Sequence, residues 1–257
     1  MKTIYEAFEK LDFFVVAHRG ASSAAPENTL ASFRKAISVG AHFIELDIQT
    51  TRDHVPIVFH DKGLSRTTNG VGFASKLTFE ELKKLDSGFW FGKEFSGEHI
   101  PSFEEVLQLV QGKIFLNVEL KNLGLNAEQH IHKILGLIYK YDFNEKVVVS
   151  SFYYEQLKII KTFDPKIPIA PIRLPKDIRL PSQLKAELNC DGYVCSFEEL
   201  NREIAEDAAR SNLFIGVYSV DSEEQLNFAV SHDVKAIVTN NPEKILKLLK
   251  TKYKARV

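Results

Sequence analysis

The chain has 257 residues, 44% hydrophobic and 26% charged, so it can bury a large core and falls in the size range of one complete barrel domain. Its 33 basic and 34 acidic side chains give a formal net charge of -1, which excludes a global field that would attract nucleic acid or an anionic membrane. Nucleic-acid binding is therefore not expected, and any anion must be recognised by a local site.

The two cysteines and the lengths of the apolar segments indicate the cellular compartment of the protein. Cys190 and Cys195 lie in one apolar run that is typical of a buried strand and not of a disulfide or a zinc site. The N-terminal apolar run, residues 13–17, is too short for the core of a signal peptide, and no segment approaches the roughly 18 apolar residues of a membrane span. The sequence predicts a soluble cytoplasmic protein without stable membrane insertion, and it leaves the oligomeric state open.

Short runs of β-branched and aromatic residues alternate with helical patterns, which is typical of parallel strands joined by crossover helices. The runs at 43–49 and 56–60 are too close for a crossover helix, so the second is predicted to be a hairpin-like extension of the first. Eight strand–helix positions remain, which predicts an α/β fold, a (β/α)8 barrel, with residues 1–257 as one domain. The predicted strands lie near 13–18, 43–49, 56–60, 114–121, 147–151, 168–172, 191–196, 214–220 and 236–239.

Helix boundaries are indicated by capping patterns. Thr78, Ser102 and Ser222 are each followed three residues later by Glu or Gln, a spacing that allows reciprocal capping at a helix start. Gly40 follows a helical pattern and is predicted to end that helix. Residues 63–101 are too many for a simple connection, so we predict a small insertion there, after the second strand region and over the barrel mouth.

Glu45 and Asp47 are two positions apart in a predicted strand, so their carboxylates point to the same side. Two carboxylates inside a barrel cost several kcal/mol unless a cation compensates them. Oxygen ligands favour the hard ions Mg2+ and Ca2+, so the pair predicts a divalent metal site. The alternative is that both residues lie past the end of the strand and are solvated or ion-paired.

A third strand carries Asn117, Glu119 and Lys121 in alternation with apolar residues. Helices cover the outer face of a parallel barrel, so these polar side chains are predicted to point inward at the mouth. Glu119 then becomes a third metal ligand, and Lys121 becomes a fixed cation for an anionic substrate. The competing interpretation is a structural Glu119–Lys121 pair that bridges neighbouring strands.

His18 and His60 each end a predicted strand and are candidate proton carriers with unperturbed pKa values near neutrality. Arg19 offers a planar fork suited to bidentate phosphate binding. Asn28 precedes the first crossover helix, where it is either part of the cap or a substrate contact. A strand-end histidine is often only structural, but two of them beside carboxylates and cations favour metal-assisted hydrolysis of a phosphodiester.

These motifs resemble the signature of the glycerophosphodiester phosphodiesterase family. The likeness extends over nearly the whole chain and includes His18-Arg19, Pro26-Glu27-Asn28-Thr29, Glu45-x-Asp47, His60-Asp61, Arg66-Thr67-Thr68-Asn69-Gly70, Ile100 to Leu107, Val118 to Lys121 and Val238 to Pro242. The resemblance implies a TIM barrel that hydrolyses glycerophosphodiesters, such as glycerophosphocholine or glycerophosphoethanolamine, to sn-glycerol 3-phosphate and an alcohol.

By position, the resemblance implies functions for the residues of the site. The assignments are metal binding by Glu45, Asp47 and Glu119, acid–base catalysis by His18 and His60, and phosphate binding by Arg19 and Lys121. Which histidine is the acid is left open, as is the choice between direct attack by water and a cyclic phosphate intermediate.

Two positions depart from the family pattern. Tyr218 stands where the family usually has Trp, which leaves selectivity for the leaving alcohol open. Asn240 stands where Asp is common, and we expect this difference to matter little.

Two other functions remain. A lysophospholipase D-like activity would use Trp90 and the nearby Phe89, Phe91 and Phe95 to admit an acyl chain, whereas the alternative is that these aromatic residues only pack the insertion onto the barrel. A catalytically inactive phosphate-binding barrel is expected to have lost a histidine or a carboxylate, and none is missing here.

Overall fold

The computed structural model describes residues 3–257, and strands form the centre of the fold. The nine strands are β1 (Phe14–Ala17), β2 (Phe43–Thr50), β3 (Pro56–Val58), β4 (Phe115–Leu120), β5 (Val147–Ser151), β6 (Ile169–Pro171), β7 (Gly192–Ser196), β8 (Phe214–Tyr218) and β9 (Ala236–Thr239). Every predicted strand is present, with ends that differ by no more than two residues.

Eight of these strands are parallel and form a nearly closed ring. They are hydrogen-bonded in the order β6-β5-β4-β2-β1-β9-β8-β7, and a parallel bridge between Ile172 and Val194 joins the two ends. The remaining strand, β3, pairs antiparallel with β2, with Ile48 opposite Val58, so the predicted hairpin-like extension is confirmed. The (β/α)8 barrel is confirmed as the fold.

Alternation along the strands separates two apolar layers. On β1, Val15 and Ala17 pack outward into the core between strands and helices, whereas Phe14 and Val16 belong to the cluster inside the barrel. On β2, Ile44, Leu46 and Ile48 pack outward into the same core, so Glu45 and Asp47, which alternate with them, face the interior.

Ten α-helices accompany the strands in the described part of the chain. They are α1 (Ile4–Lys10), α2 (Leu30–Ser38), α3 (Phe79–Leu82), α4 (Phe103–Val110), α5 (Ala127–Lys140), α6 (Tyr154–Phe163), α7 (Pro181–Leu188), α8 (Arg202–Arg210), α9 (Glu223–Ser231) and α10 (Pro242–Lys252). None of them is long and apolar enough to cross a bilayer.

The predicted helix boundaries are confirmed. Reciprocal capping boxes begin α3 at Thr78, α4 at Ser102 and α9 at Ser222. Gly40 has a φ of +81° just after α2, a conformation that glycine adopts without steric cost. Local side-chain chemistry therefore sets these ends.

Helix α1 is an element that the sequence analysis missed. It lies at the amino ends of the strands, where Phe8 contacts the rings of Phe14 and Phe214 at centroid distances of 4.7 and 5.1 Å. Its signals were present in the sequence, because Thr3 caps the backbone of Glu6 and the apolar residues follow a helical period.

The segment between β3 and α4 has its own small core, formed by Ile57, Phe59, Leu64, Ala74, Leu82 and Ile100. The aromatic residues that were expected to pack the insertion onto the barrel lie outside this core. The side chains of Phe89 and Trp90 are 63% and 42% exposed. That packing interpretation was therefore wrong for these two residues, because other side chains form the buried core of the insertion.

Candidate active site

Three carboxylates meet inside the carboxyl end of the barrel. Asp47 on β2 lies opposite Glu119 on β4 in the parallel register, and Glu45 is two residues earlier on the same face of β2. One oxygen atom from each of the three lies within 4.8 Å of the others. Their side chains are buried, so the predicted convergence of Glu45, Asp47 and Glu119 is confirmed as geometry.

The electrostatics of this cluster favour a bound cation. Burial, followed by the charge of Asp47, raises the pKa of both Glu45 and Glu119. Burial also opposes ionisation of Asp47, but Lys121 and Arg19 outweigh it and lower the pKa of Asp47. Glu45 Oε1 is buried without a hydrogen-bond partner, as expected for an oxygen that is free to bind a metal ion.

Arg19 follows β1 and connects the cluster to neighbouring loops. Its backbone N–H donates to Glu45 Oε2 at 2.8 Å, and its Nε lies 3.4 Å from Asp47 Oδ2. Its other arm donates to Glu27 Oε1 at 2.8 Å. The guanidinium is thus held beside the carboxylates at the mouth.

Asn28 belongs to the site and not to the helix cap. Its side-chain amide donates to Asp47 Oδ2 at 2.7 Å, and its φ of +57° turns the chain there. The cap of α2 is made by Thr29, whose side chain accepts from Ser32 N. The cap alternative therefore applies to Thr29, whereas a substrate contact by Asn28 stays a prediction.

Lys121 lies just past the end of β4 and contacts two carboxylates. Its Nζ is 2.7 Å from Asp47 Oδ1 and also hydrogen-bonds to Glu119 Oε1. Burial opposes the charged form, but the Asp47 and Glu119 charges together raise the pKa of Lys121. The expected Glu119–Lys121 pair is present, and it lies within the carboxylate cluster.

His18 follows β1 and is oriented by a chain of two polar residues. Its Nδ1 is 2.9 Å from Asn240 Oδ1, and the Asn240 amide donates to Asp221 Oδ2 at 2.6 Å. Burial, followed by the Arg19 charge, lowers the pKa of His18. Because Asp221 holds the Asn240 amide nitrogen, the Asn240 oxygen must face His18, so the histidine donates from Nδ1.

His60 follows β3 and is held by a carboxylate. Its Nδ1 lies 2.6 Å from Asp61 Oδ1, and Arg66 donates to both oxygens of Asp61 at 2.6 and 3.0 Å. Burial lowers the pKa of His60, whereas the Asp47 charge acts in the opposite direction. The hydrogen bonds from Arg66 keep the pKa of Asp61 well below its usual range.

Besides Asn28, the candidate residues of the substrate pocket were Tyr218 and Trp90, and these two lie in different parts of the structure. Tyr218 ends β8 and packs against the cluster inside the barrel, where burial and then the Glu199 and Glu119 charges raise its pKa. Trp90 donates from its indole nitrogen to Ser87 O and contacts the Phe91 ring. Within residues 3–257, no hydrogen bond, ion pair or ring contact joins Trp90 to the carboxylates.

Several residues that support the site were given no function in the sequence analysis. Each supports a predicted functional residue, and the structure identifies them as Glu27, Gln49, Asp61, Arg66, Asp221 and Asn240. Gln49 was detectable in principle, because it lies on the same face of β2 as Glu45 and Asp47. The others lie in loops, where sequence spacing does not determine direction.

A family model matches most of the chain. The model describes the glycerophosphoryl diester phosphodiesterase family and matches residues 18–244. The chain belongs to this family. Its enzyme class is therefore that of the glycerophosphodiester phosphodiesterases, which are phosphoric diester hydrolases.

Relatives with established names share the family over nearly their whole length. A glycerophosphodiester phosphodiesterase from Caldanaerobacter subterraneus subsp. tengcongensis is 36% identical over 240 residues, covering 92% of this chain and 97% of the relative. One from Bacillus altitudinis is 32% identical over 238 residues, covering 91% and 97%.

A solved structure of an Oleispira antarctica phosphodiesterase, in complex with the product sn-glycerol-3-phosphate, is similar to this one. It has a TM-score of 0.89 at 28% identity and covers 95% of this chain and 99% of that chain. The similarity supports a small-molecule substrate for the family fold.

Proposed function

We propose that this enzyme uses a divalent metal ion to hydrolyse glycerophosphodiesters, such as glycerophosphocholine and glycerophosphoethanolamine, to sn-glycerol 3-phosphate and an alcohol. The observation that carries the proposal is the buried group of Glu45, Asp47 and Glu119, whose oxygen atoms converge within 4.8 Å. The product bound by the Oleispira antarctica phosphodiesterase supports the same chemistry.

Glu45, Asp47 and Glu119 would hold the ion. Their ligand atoms are all carboxylate oxygens, which favours Mg2+ or Ca2+ over a softer metal. Among residues 3–257, the ion pairs of these three carboxylates involve two cations, Arg19 and Lys121, so an added cation would compensate the remaining negative charge. When bound, the ion would stabilise negative charge on a non-bridging phosphate oxygen.

Arg19 and Lys121 would bind the other phosphate oxygens. Both side chains remain charged, because the pKa of each is raised by the surrounding carboxylates. Fixed cations in a site with little water stabilise charge more strongly than mobile ones in solution, because no reorganisation is needed during the reaction. Their main contribution is therefore to the transition state.

His18 and His60 would transfer the protons. Each is held through Nδ1, by Asn240 or by Asp61, so Nε2 is the ring atom available for chemistry. One imidazole would take the proton of the attacking hydroxyl, and the other would protonate the departing alkoxide oxygen. If the attacking hydroxyl belongs to the glycerol of the substrate, a cyclic phosphate forms first; if it belongs to water, none forms.

The decisive experiment combines a substrate panel with metal removal. We expect the protein to hydrolyse glycerophosphocholine and glycerophosphoethanolamine with Mg2+ or Ca2+ and to lose activity after treatment with EDTA. Product analysis by phosphorus NMR also detects any cyclic phosphate. Equal rates before and after metal removal would refute the metal mechanism.

Variants at the two histidines test the acid–base assignment. His18→Ala and His60→Ala are each expected to reduce kcat by at least about 100-fold, because general acid–base catalysis contributes roughly 10²–10⁴-fold. His232→Ala, at the C-terminal cap of α9, is a matched control that should retain activity. Full activity in both site variants would refute the assignment of His18 and His60 as acid and base.

A lysophospholipase D-like activity is a second candidate because Phe89 and Trp90 are solvent-exposed on the insertion. Exposed aromatic side chains of this kind can contact an acyl chain. Comparing turnover of glycerophosphocholine with that of its lysolipid counterpart separates the two functions. Trp90→Ala should reduce only the turnover of the lysolipid.

A further inference from the structure

We propose that Arg66 is a positioning residue that holds Arg19 and His60 in a fixed relation, through one carboxylate for each. The proposal deepens the function proposed above and rests on it. It concerns a residue of the insertion that contacts neither the metal-binding carboxylates nor Lys121 among the hydrogen bonds and ion pairs of residues 3–257.

Arg66 is bound on two sides. Its Nε and NH2 donate to Asp61 at 2.6 and 3.0 Å, and its NH1 and NH2 donate to Glu27 at 2.8 Å each. Four of the five guanidinium N–H groups are thereby committed to carboxylates. The geometry leaves Arg66 little capacity to bind a phosphate itself.

Each carboxylate leads to one functional group. Glu27 Oε1 also accepts from Arg19 NH1 at 2.8 Å, and Asp61 Oδ1 also lies 2.6 Å from His60 Nδ1. Charges of opposite sign therefore alternate from Asp47 through Arg19, Glu27 and Arg66 to Asp61, and Asp61 in turn contacts the His60 ring. Removing Arg66 breaks this chain in the middle, so that Glu27 keeps its contact with Arg19 and Asp61 keeps its contact with His60, but nothing holds the two pairs in a fixed relation.

The backbone of Arg66 is well placed for this function. It lies between Leu64, which is fully buried in the core of the insertion, and Thr68, whose hydroxyl donates to Leu64 O at 2.7 Å. Arg66 therefore lies in a hydrogen-bonded turn of the insertion, next to a buried residue of its core. Through this side chain, packing of the insertion is coupled to the orientation of the phosphate-binding and proton-transferring groups.

Loss of Arg66 should leave the fold intact. Its side chain is 45% exposed, and exposed ion pairs contribute little to stability. The backbone beside His60 is held separately, because the Gln49 amide donates to the carbonyl oxygens of Phe59, His60 and Asp61 at 2.7, 3.0 and 2.7 Å. The expected defect is therefore in side-chain orientation.

The test uses Arg66→Ala, Arg66→Lys and the matched control Arg52→Ala. Arg52 makes a comparable exposed pair with Glu81 at 3.1 Å, away from the carboxylate cluster. We expect Arg66→Ala to lower kcat by about 10–100-fold, as for loss of other groups that orient functional residues, with little change in KM or Tm. Arg52→Ala should match the wild type.

Chemical rescue adds a readout that a merely structural effect would not give. Added guanidinium, well below denaturing concentrations, should restore part of the kcat of Arg66→Ala. It should leave the kcat of Arg52→Ala unchanged. Arg66→Lys should remain impaired, because one ammonium cannot bridge two carboxylates as a planar fork does. The absence of any rescue would overturn the proposal.

A double-mutant cycle identifies the route of the effect. In a His60→Ala background, loss of Arg66 should cost less in kcat than in the wild type, because one of the two groups it positions is absent and only Arg19 remains to be held. Equal costs in both backgrounds, or a rise in KM alone, would overturn the proposal. An active wild type with an equally active Arg66→Ala refutes only this inference, whereas a wild type inactive on both glycerophosphodiesters refutes the proposed function.

Discussion

The two histidines of the site are oriented by chemically different acceptors. His18 faces the neutral amide of Asn240, whereas His60 faces the carboxylate of Asp61. A carboxylate stabilises an imidazolium more strongly than an amide does, because its charge is opposite. The residue that differs from the family pattern, Asn240, therefore contacts a proposed proton carrier directly.

We predict that Asn240→Ala lowers kcat by about 10–100-fold, because His18 loses the acceptor that fixes its ring. Steady-state kinetics on glycerophosphocholine measure the effect. Ser22→Ala is the matched control, since Ser22 donates to the same Asn240 oxygen at 2.9 Å but does not touch His18. Comparable losses in both variants, or full activity of Asn240→Ala, would contradict this prediction.

The exchange of Asn240 and Asp221 provides a sharper version of the same test. Asn240→Asp alone places two carboxylates against each other, because the Asn240 amide now lies 2.6 Å from Asp221 Oδ2. Adding Asp221→Asn restores a donor between them. The double variant should therefore be more active than Asn240→Asp, and an equal or lower kcat would argue against the proposed chain of hydrogen bonds.

The two ends of the barrel interior differ in composition. The carboxyl end holds the carboxylates, and the amino end is covered by α1, whose Phe8 packs edge-on against Phe14. Asn117 lies two residues before Glu119 on the inward face of β4, opposite Glu45. The proposed catalytic residues therefore lie at one end of the barrel, and the aromatic packing that stabilises the fold lies at the other.

From this separation we predict that Phe8→Ala destabilises the protein and spares catalysis. Loss of a half-buried ring should lower the free energy of unfolding by about 2–4 kcal/mol, near the lower part of the range for aromatic truncation. Denaturant unfolding and kcat are the measurements. Tyr5→Ala, on the same helix but 58% exposed, should change neither, and a larger effect at Tyr5 would contradict the described packing.

At the scale of the molecule, the first and last strands are neighbours. Thr239 on β9 pairs with Ala17 on β1, and Asp12 near the start forms an ion pair with Arg256 near the end. We propose that the whole chain is one domain, since the ring requires strands from both ends.

Binding of the proposed ion should be linked to the stability of the whole barrel. Glu45 and Asp47 come from β2 and Glu119 from β4, so the site forms only when these strands pair. An ion at 100 times its Kd should stabilise the fold by about 2.7 kcal/mol, raising Tm. Glu119→Gln should abolish the shift, whereas the exposed Glu94→Gln should retain it; an unchanged wild-type Tm would contradict metal binding.

The sequence by itself determined the positions of the strands, the capped helix starts and the shared face of Glu45 and Asp47. Those features depend on periodicity and on side chains within a few residues, which are visible in one dimension. It also placed His18 and His60 at strand ends, which a parallel barrel brings to the same edge.

Only the tertiary structure decided which loop residues orient the site. Arg66 reaches Glu27 across 39 residues, and Asn240 reaches His18 across 222. Phe89 and Trp90 are exposed where burial was expected, because the insertion fills its own core with other side chains. Loop directions and such long-range contacts follow from how the ring closes, which local sequence patterns do not specify.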